Sequence, residues 1–171
     1  MITLDNWIQK SQTIKESHNP QVYKSTAELL GEEDIPIIQP RPVVLGILGH
    51  SSKWTRDTIA EGVMNPLISE IGKLPFNILL PSEGDTSILL QIWTERQGIG
   101  HQVLDADWKR LGRKARAIRD SRILKESNHL LFFLGSRSDY YEKVAIREAK
   151  KGKVVFTMDQ ENNELVQWVI E

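Results

Sequence analysis

Four short polar stretches carry the residue types that hold anions and sugars: GHSSKW at 49–54, PSEGDTS at 81–87, DADWKRLGR at 105–113 and GSRSDY at 135–140. In the first, Gly49 lets a backbone come close to a ligand, and His50, Ser51 and Ser52 supply hydroxyl and imidazole groups ahead of a helix. In the second, Gly84 permits a positive φ, Asp85 can cap a helix, and Ser82, Thr86 and Ser87 can donate to phosphate. Glu83 and Asp85 are the loop carboxylates suited to accept from ribose hydroxyls. They are also the pair, with Asp139 third, that would support an oxocarbenium-like centre or activate water in the cleavage of a glycosidic bond. The fourth stretch repeats the layout, with Ser138 as a cap and Ser136 and Arg137 free for a ligand. Each loop also reads as a plain strand-to-helix turn with an N-cap and no ligand.

The third stretch opens a basic run from Lys109 to Lys125 that contains a single acid, Asp120. Helical spacing puts Leu111, Ala115 and Ile118 on one stripe with Arg122 next in line and Arg119 on its flank. An arginine in or beside a core stripe must reach a site or a carboxylate. The remaining basic residues read as a solvated face, or as a track for nucleic-acid phosphates. Trp108 is the one aromatic placed to stack on a base there. The four histidines form no metal set, and His101 and His129 fall at strand starts. Gly46 and Gly49 do not have the G-x-G-x-x-G spacing of a dinucleotide fingerprint.

These loops need elements to position them, and the chain supplies a regular alternation. Continuous apolar runs at 43–49, 76–81, 101–106, 129–135 and 153–159 read as buried strands. Helical patterns at 54–71, 85–97, 113–126, 139–151 and 161–170 separate or follow them. Ile59, Val63, Leu67, Leu89, Ile92 and Trp93 form the expected core faces of the first two helices. The pattern predicts an α/β fold: a doubly wound, Rossmann-like parallel sheet of about five strands with helices on both faces. In such sheets ligands sit beyond the carboxyl ends of the strands, where the strand order reverses. All four loops leave those ends. Before the sheet, weak helical patterns at 4–15 and 22–30 predict an N-terminal helical arm. The proline-rich EEDIPIIQPRP at 32–42 joins it as an extended connector, so residues 1–40 are arm and linker and 41–171 the Rossmann-like domain.

At 171 residues the chain suits one domain with a proper core. A hydrophobic share of 40% and a formal net charge of −1 provide no global field for nucleic acid or an anionic membrane. Without cysteine there is no disulfide, thiolate metal site or cysteine nucleophile. The longest apolar runs fall well short of the roughly 18 residues of a membrane span. MITLDNWIQK has neither a basic start nor an apolar core, so no signal peptide is expected and the cytoplasm is the expected location.

Residues 43–158 resemble the YspA-like branch of the SLOG superfamily, which also holds the DNA-processing protein DprA and the LOG phosphoribohydrolases. The resemblance rests on Gly84-Asp85, Asp107-Trp108, Gly112, Ala115 and Arg119. It continues through Ser136 and Ser138 and ends in Ala149 and Gly152. Ser82-Glu83 replace the usual glycine pair, Asp120 stands where Asn is common, and the LOG motif Pro-Gly-Gly-x-Gly-Thr-x-x-Glu is absent. What the resemblance implies is a pocket for a nucleotide or nucleotide-derived molecule, with Arg119 as the matched arginine.

The expected function is therefore binding of a nucleotide-type small molecule, as a sensor or sequestering protein, without a cofactor or metal. The expected ligand residues are Gly49, His50, Ser51, Ser52, Ser82, Gly84, Asp85, Thr86, Arg119, Ser136, Arg137 and Ser138. The first alternative is an N-glycosidic or phosphoribosyl hydrolase using Glu83 and Asp85. The second is single-stranded DNA binding through the basic helix. A homo-oligomer, built through the N-terminal arm, is expected.

Overall fold

The structure, a computed structural model, describes residues 41–51, 53–159, 161 and 164–170. The expected N-terminal arm, most of the connector and Ser52 lie outside the described residues.

Among the described residues six strands form one sheet in the order β3-β2-β1-β4-β5-β6. They are β1 Val44–Gly49, β2 Asn77–Pro81, β3 Gly100–Leu104, β4 His129–Phe133, β5 Val154–Asp159 and β6 Glu164–Trp168. The first five run parallel, and β6 runs antiparallel to β5. The order reverses between β1 and β4, so a crevice opens beyond their carboxyl ends.

Side chains alternate across each strand and divide the core in two. Leu45, Ile47, Leu131, Phe133, Phe156 and Met158 pack on one side. They meet α1, which spans 56–71, and α2, Asp85–Gln97, through Ile59, Val63, Leu67, Leu90 and Trp93. Leu48, Leu130, Phe132 and Val155 pack in the second cluster, against α4, Ala115–Glu126, and α5, Ser138–Lys150. Between β3 and α4 lies a short helix, α3, Trp108–Leu111, followed by a 3-10 turn at Gly112–Lys114.

Local chemistry explains where α1 begins and why it is irregular. Thr55 caps it in a reciprocal box: its Oγ1 accepts from Thr58 N at 3.3 Å, and Thr58 Oγ1 accepts from Thr55 N at 2.8 Å. The middle of the helix, Ala60–Met64, takes π geometry. Pro66 lies two positions after Met64; it has no N–H to donate back four residues, and its ring crowds the Gly62 carbonyl. Widening the preceding turn relieves that crowding. The helix stops at Gly72 in the left-handed region.

Three expectations are corrected. Within the span 161–170, expected as a last helix, Glu164–Trp168 is a strand. Asp159 Oδ1 accepts from Glu161 N at 2.9 Å, and the chain returns as β6, with Val166 and Trp168 inward and Trp168 Nε1 bonded to Thr157 Oγ1 at 2.8 Å. The sheet thus has six strands rather than about five; β-branched and aromatic residues with alternate burial outweigh the weak helical spacing. On α2 the buried face is Thr86, Ser87, Leu90, Trp93 and Thr94, while Leu89 and Ile92 are half-buried. On α4 the buried stripe is Ala115, Arg119 and Ile123. Ile118 is 45% exposed, and Arg122 faces solvent and pairs with Glu126 at 3.4 Å. Gly112 breaks the helix after Leu111, so a helical count that starts at Leu111 does not carry into α4. Counting from Ala115 gives the observed face.

Candidate functional site: a cavity at the strand reversal

A cavity of about 410 Å³ opens at the carboxyl ends of β1, β2 and β4. Its volume lies in the range of small-molecule sites. Leu48, Pro81 and Leu134 form apolar wall; Gly49 and His50, Glu83 and Gly84, and Ser136 and Arg137 come from three of the four loops. Arg116, Arg119 and Asp120 enter from α4, and Tyr141 from α5.

The loops come this close because two glycines allow it. A Cβ on Gly49, whose φ is +91°, would stand 2.0 Å from the Phe133 carbonyl oxygen. One on Gly135, φ +51°, would stand 2.4 Å from the His50 carbonyl oxygen. Any other residue would push the β1 and β4 loops apart.

Glu83 is the electrostatic centre of the site. Its Oε1 accepts from Arg119 Nη2 at 3.0 Å and from Arg116 Nε at 3.2 Å. Arg119 Nε also donates to Asp120 Oδ1 at 2.8 Å. The Arg119 side chain is only 4% exposed, and its Nη1 is buried without a hydrogen-bond partner. Partial burial alone would raise the Glu83 pKa; the bond and charge of Arg119, then those of Arg116, outweigh it and hold the carboxyl below its ordinary value. Glu83 is thus a fixed anion, and Arg119 is the brace that fixes it.

The exposed cations differ in kind. Arg137 stacks on Tyr140 with its guanidinium carbon 4.4 Å from the ring centroid and has no carboxylate partner among the described residues. Arg116 is half-exposed and lies 5.9 Å from the Trp108 ring centroid. Two helices of 13 residues start at the rim, α2 after Gly84 and α5 after Arg137, and neither has a side-chain cap. Gly84 and Arg137, the residues at these two helix starts, both line the cavity, so the positive dipole ends lie at its rim.

The expected site residues divide accordingly. Gly49, His50, Glu83, Gly84, Arg119, Ser136 and Arg137 line the cavity; Ser51, Ser82, Asp85, Thr86 and Ser138 do not. Thr86 is a staple. Its Oγ1 accepts from Ser51 N at 3.0 Å and donates to Ser51 O at 2.9 Å, so both residues are buried in holding the β1 loop to α2. With its one proton on Ser51 O, Thr86 accepts from His50 Nδ1 at 3.3 Å. That contact places a proton on Nδ1. Ser82 continues the ladder, its N–H donating to Leu104 O at 3.0 Å. The expected caps are corrected too. Gly84 occupies the cap position of α2 and Asp85 follows it, while Ser138 begins α5 after Arg137.

Arg116, Asp120 and Tyr141 were not singled out as ligand residues in the sequence. Asp120 follows directly from Arg119 as its neighbour. Arg116 had a usable signal: it lies three residues before Arg119, on the same side of α4. Tyr141 is buried against Phe132, and burial, then Asp120, raises its pKa. Among the described residues no three His, Asp or Glu side chains gather as a metal group, and no helix is long and apolar enough to cross a membrane. No family model, curated protein or solved structure matches this chain.

Proposed function

We propose that residues 41–171 are a doubly wound, Rossmann-like domain of the SLOG type that binds a nucleotide or nucleotide-derived small molecule in this cavity. The observation that carries the reading is the convergence of two uncapped helix N-termini and the carboxylate-free Arg137 on one cavity at the strand reversal. That end suits a phosphate. Glu83 supplies the opposite chemistry: both arginines take its Oε1, and Oε2 remains to accept from ribose hydroxyls. Leu48, Leu134 and Tyr141 offer apolar surface to a base.

The geometry favours binding over hydrolysis. Asp85 stands outside the cavity lining, so the expected Glu83 and Asp85 pair is not assembled there. A carboxylate pinned by two arginines and held below its ordinary pKa is a weak base and is not an acid near neutrality. Single-stranded DNA binding is favoured less, because Arg110, Arg116, Arg119 and Arg122 are each engaged by Asp107, Glu83, Asp120 or Glu126. We also read the protein as cytoplasmic and homo-oligomeric.

A thermal-shift series tests the function. Nucleoside monophosphates, cyclic nucleotides and NAD are compared with nucleosides and inorganic phosphate. A ligand at 100 times its Kd adds about 2.7 kcal/mol to stability. Nucleotides should raise Tm, nucleosides much less, and Arg137→Ala should remove most of the gain. No shift with any nucleotide sinks the reading. Release of free base during the same incubations would replace it with the hydrolase.

A further inference from the structure

A second concavity, about 670 Å³, lies between α4 and α5. It sits toward the amino ends of the strands, away from the cavity. Glu148 forms its base. This carboxylate is 1% exposed and binds three cations: Arg147 at 3.3 Å, Lys151 at 2.8 Å and Lys153 at 2.8 Å. Lys153 Nζ also donates to the Leu124 carbonyl, which joins the two helices. Arg122 and Lys125 complete the wall. Five cations thus face two carboxylates, Glu148 and Glu126, and Lys125 has no acid partner among the described residues. The groove is not purely polar, since Ile118 is 45% exposed in its lining and Leu124 lies beside it half-buried.

One segment of the same chain has the complementary chemistry. Glu32-Glu33-Asp34-Ile35-Pro36-Ile37-Ile38 places three acids directly before three isoleucines. Its tether is in the right place. Asn128 Nδ2 donates to Pro42 O at 2.8 Å, and Asn128 O accepts from Val154 N at 3.2 Å, so Pro42 enters the sheet next to Lys153. From Pro42 back to Asp34 the chain reaches up to about 28 Å at ~3.5 Å per residue. The groove along α4 from Ile118 to Lys125 needs only about 10 Å at ~1.5 Å per residue.

We propose that the groove between α4 and α5 is the docking site for residues 32–38 of this chain. The acids meet the groove's surplus of positive charge, led by Lys125, and the isoleucines cover Ile118 and Leu124. Docking would tie the N-terminal region to α4, the helix that carries Arg116 and Arg119. The proposal does not rest on any ligand in the cavity.

Because the chain has no cysteine, an introduced pair reports cleanly in the full-length protein. The pair Ile35→Cys with Ser121→Cys should oxidise to an intramolecular disulfide, seen as a monomer that runs faster without reductant. The pair Ile35→Cys with Glu70→Cys, on α1, is the control. Lys125→Glu should slow the crosslink about tenfold, a loss of ~1.4 kcal/mol of docking free energy. So should about 1 M salt, where the screening length is ~3 Å. Crosslinking no faster than the Glu70 control, or insensitive to both charge tests, overturns the proposal. Crosslinking confined to dimers overturns docking within one chain.

Discussion

Arg119 shows how one buried side chain organises this site. Its guanidinium holds Asp120 with Nε and Glu83 with Nη2, so it restrains both the β2 loop and the cavity wall. Arg119→Ala removes the cation from two carboxylates, of which Asp120 is only 14% exposed at its side chain. Losing one partner of a buried pair costs roughly 3–5 kcal/mol. Since the Glu83 side chain is 42% exposed, the expected loss is at the lower end, about 3 kcal/mol in urea unfolding without ligand. Arg119→Lys keeps the charge but cannot serve both acids with a planar fork, and should fall between the two. A loss of only a few tenths for Arg119→Ala would show that the brace is not structural. The sequence carried much of this. Arg119 was legible from its place beside a helical stripe and Glu83 from its loop. Which carboxylate Arg119 would meet was not legible, because Glu83 lies 36 residues away and only the packing of α4 over β2 joins them.

At the scale of elements, periodicity located helices better than it located their faces. All five parallel strands and four of the five helices after residue 41 were legible as alternating apolar runs and helical patterns. The face of α2 was not, because Thr86 and Ser87 turn inward to bond Ser51 and the Pro81 carbonyl, and this rotates the buried stripe onto Leu90. Polar residues buried by local hydrogen bonds are invisible to a count of apolar spacing. The structure therefore makes an asymmetric prediction. Leu90 is fully buried and Leu89 half-buried. Leu90→Ala should cost about 3 kcal/mol, within the usual range for a buried leucine, and Leu89→Ala clearly less. Equal losses in denaturant melts would mean that α2 is rotated from the position described. The final segment is ambiguous in sequence for a related reason: its apolar residues fit both periods, and only the Asp159–Glu161 contact and the open edge of β5 select a strand. In that position β6 also covers an edge that would otherwise be free to pair with another chain.

Over the whole molecule, buried groups at both ends of the sheet make stability depend on pH in the same direction, in two windows. At the amino end, His129 Nδ1 lies 2.8 Å from Asn128 Oδ1, which fixes the neutral ring as the donor. Burial, then the charge of Lys73, lowers its pKa to about 4. In the unfolded chain it titrates near ~6.5. The unfolded state therefore takes up the proton first as pH falls, so stability is full above that value and is lost down to about pH 4. A difference of ~2.5 units corresponds to roughly 3 kcal/mol. Glu83 and Glu148 have the same sign in a lower window. In both, burial raises the pKa but is outweighed, by Arg119 and Arg116 for Glu83 and by Lys151 and Lys153 for Glu148. Their contribution is present above the ordinary carboxylate value and is lost below it. Urea unfolding across this range should thus show two successive losses rather than one. His129→Gln keeps a neutral donor toward Asn128 and should flatten the upper limb while leaving the lower one in place. An unchanged slope between pH 6.5 and 4 in that variant would assign the upper limb to other groups and remove His129 from the account.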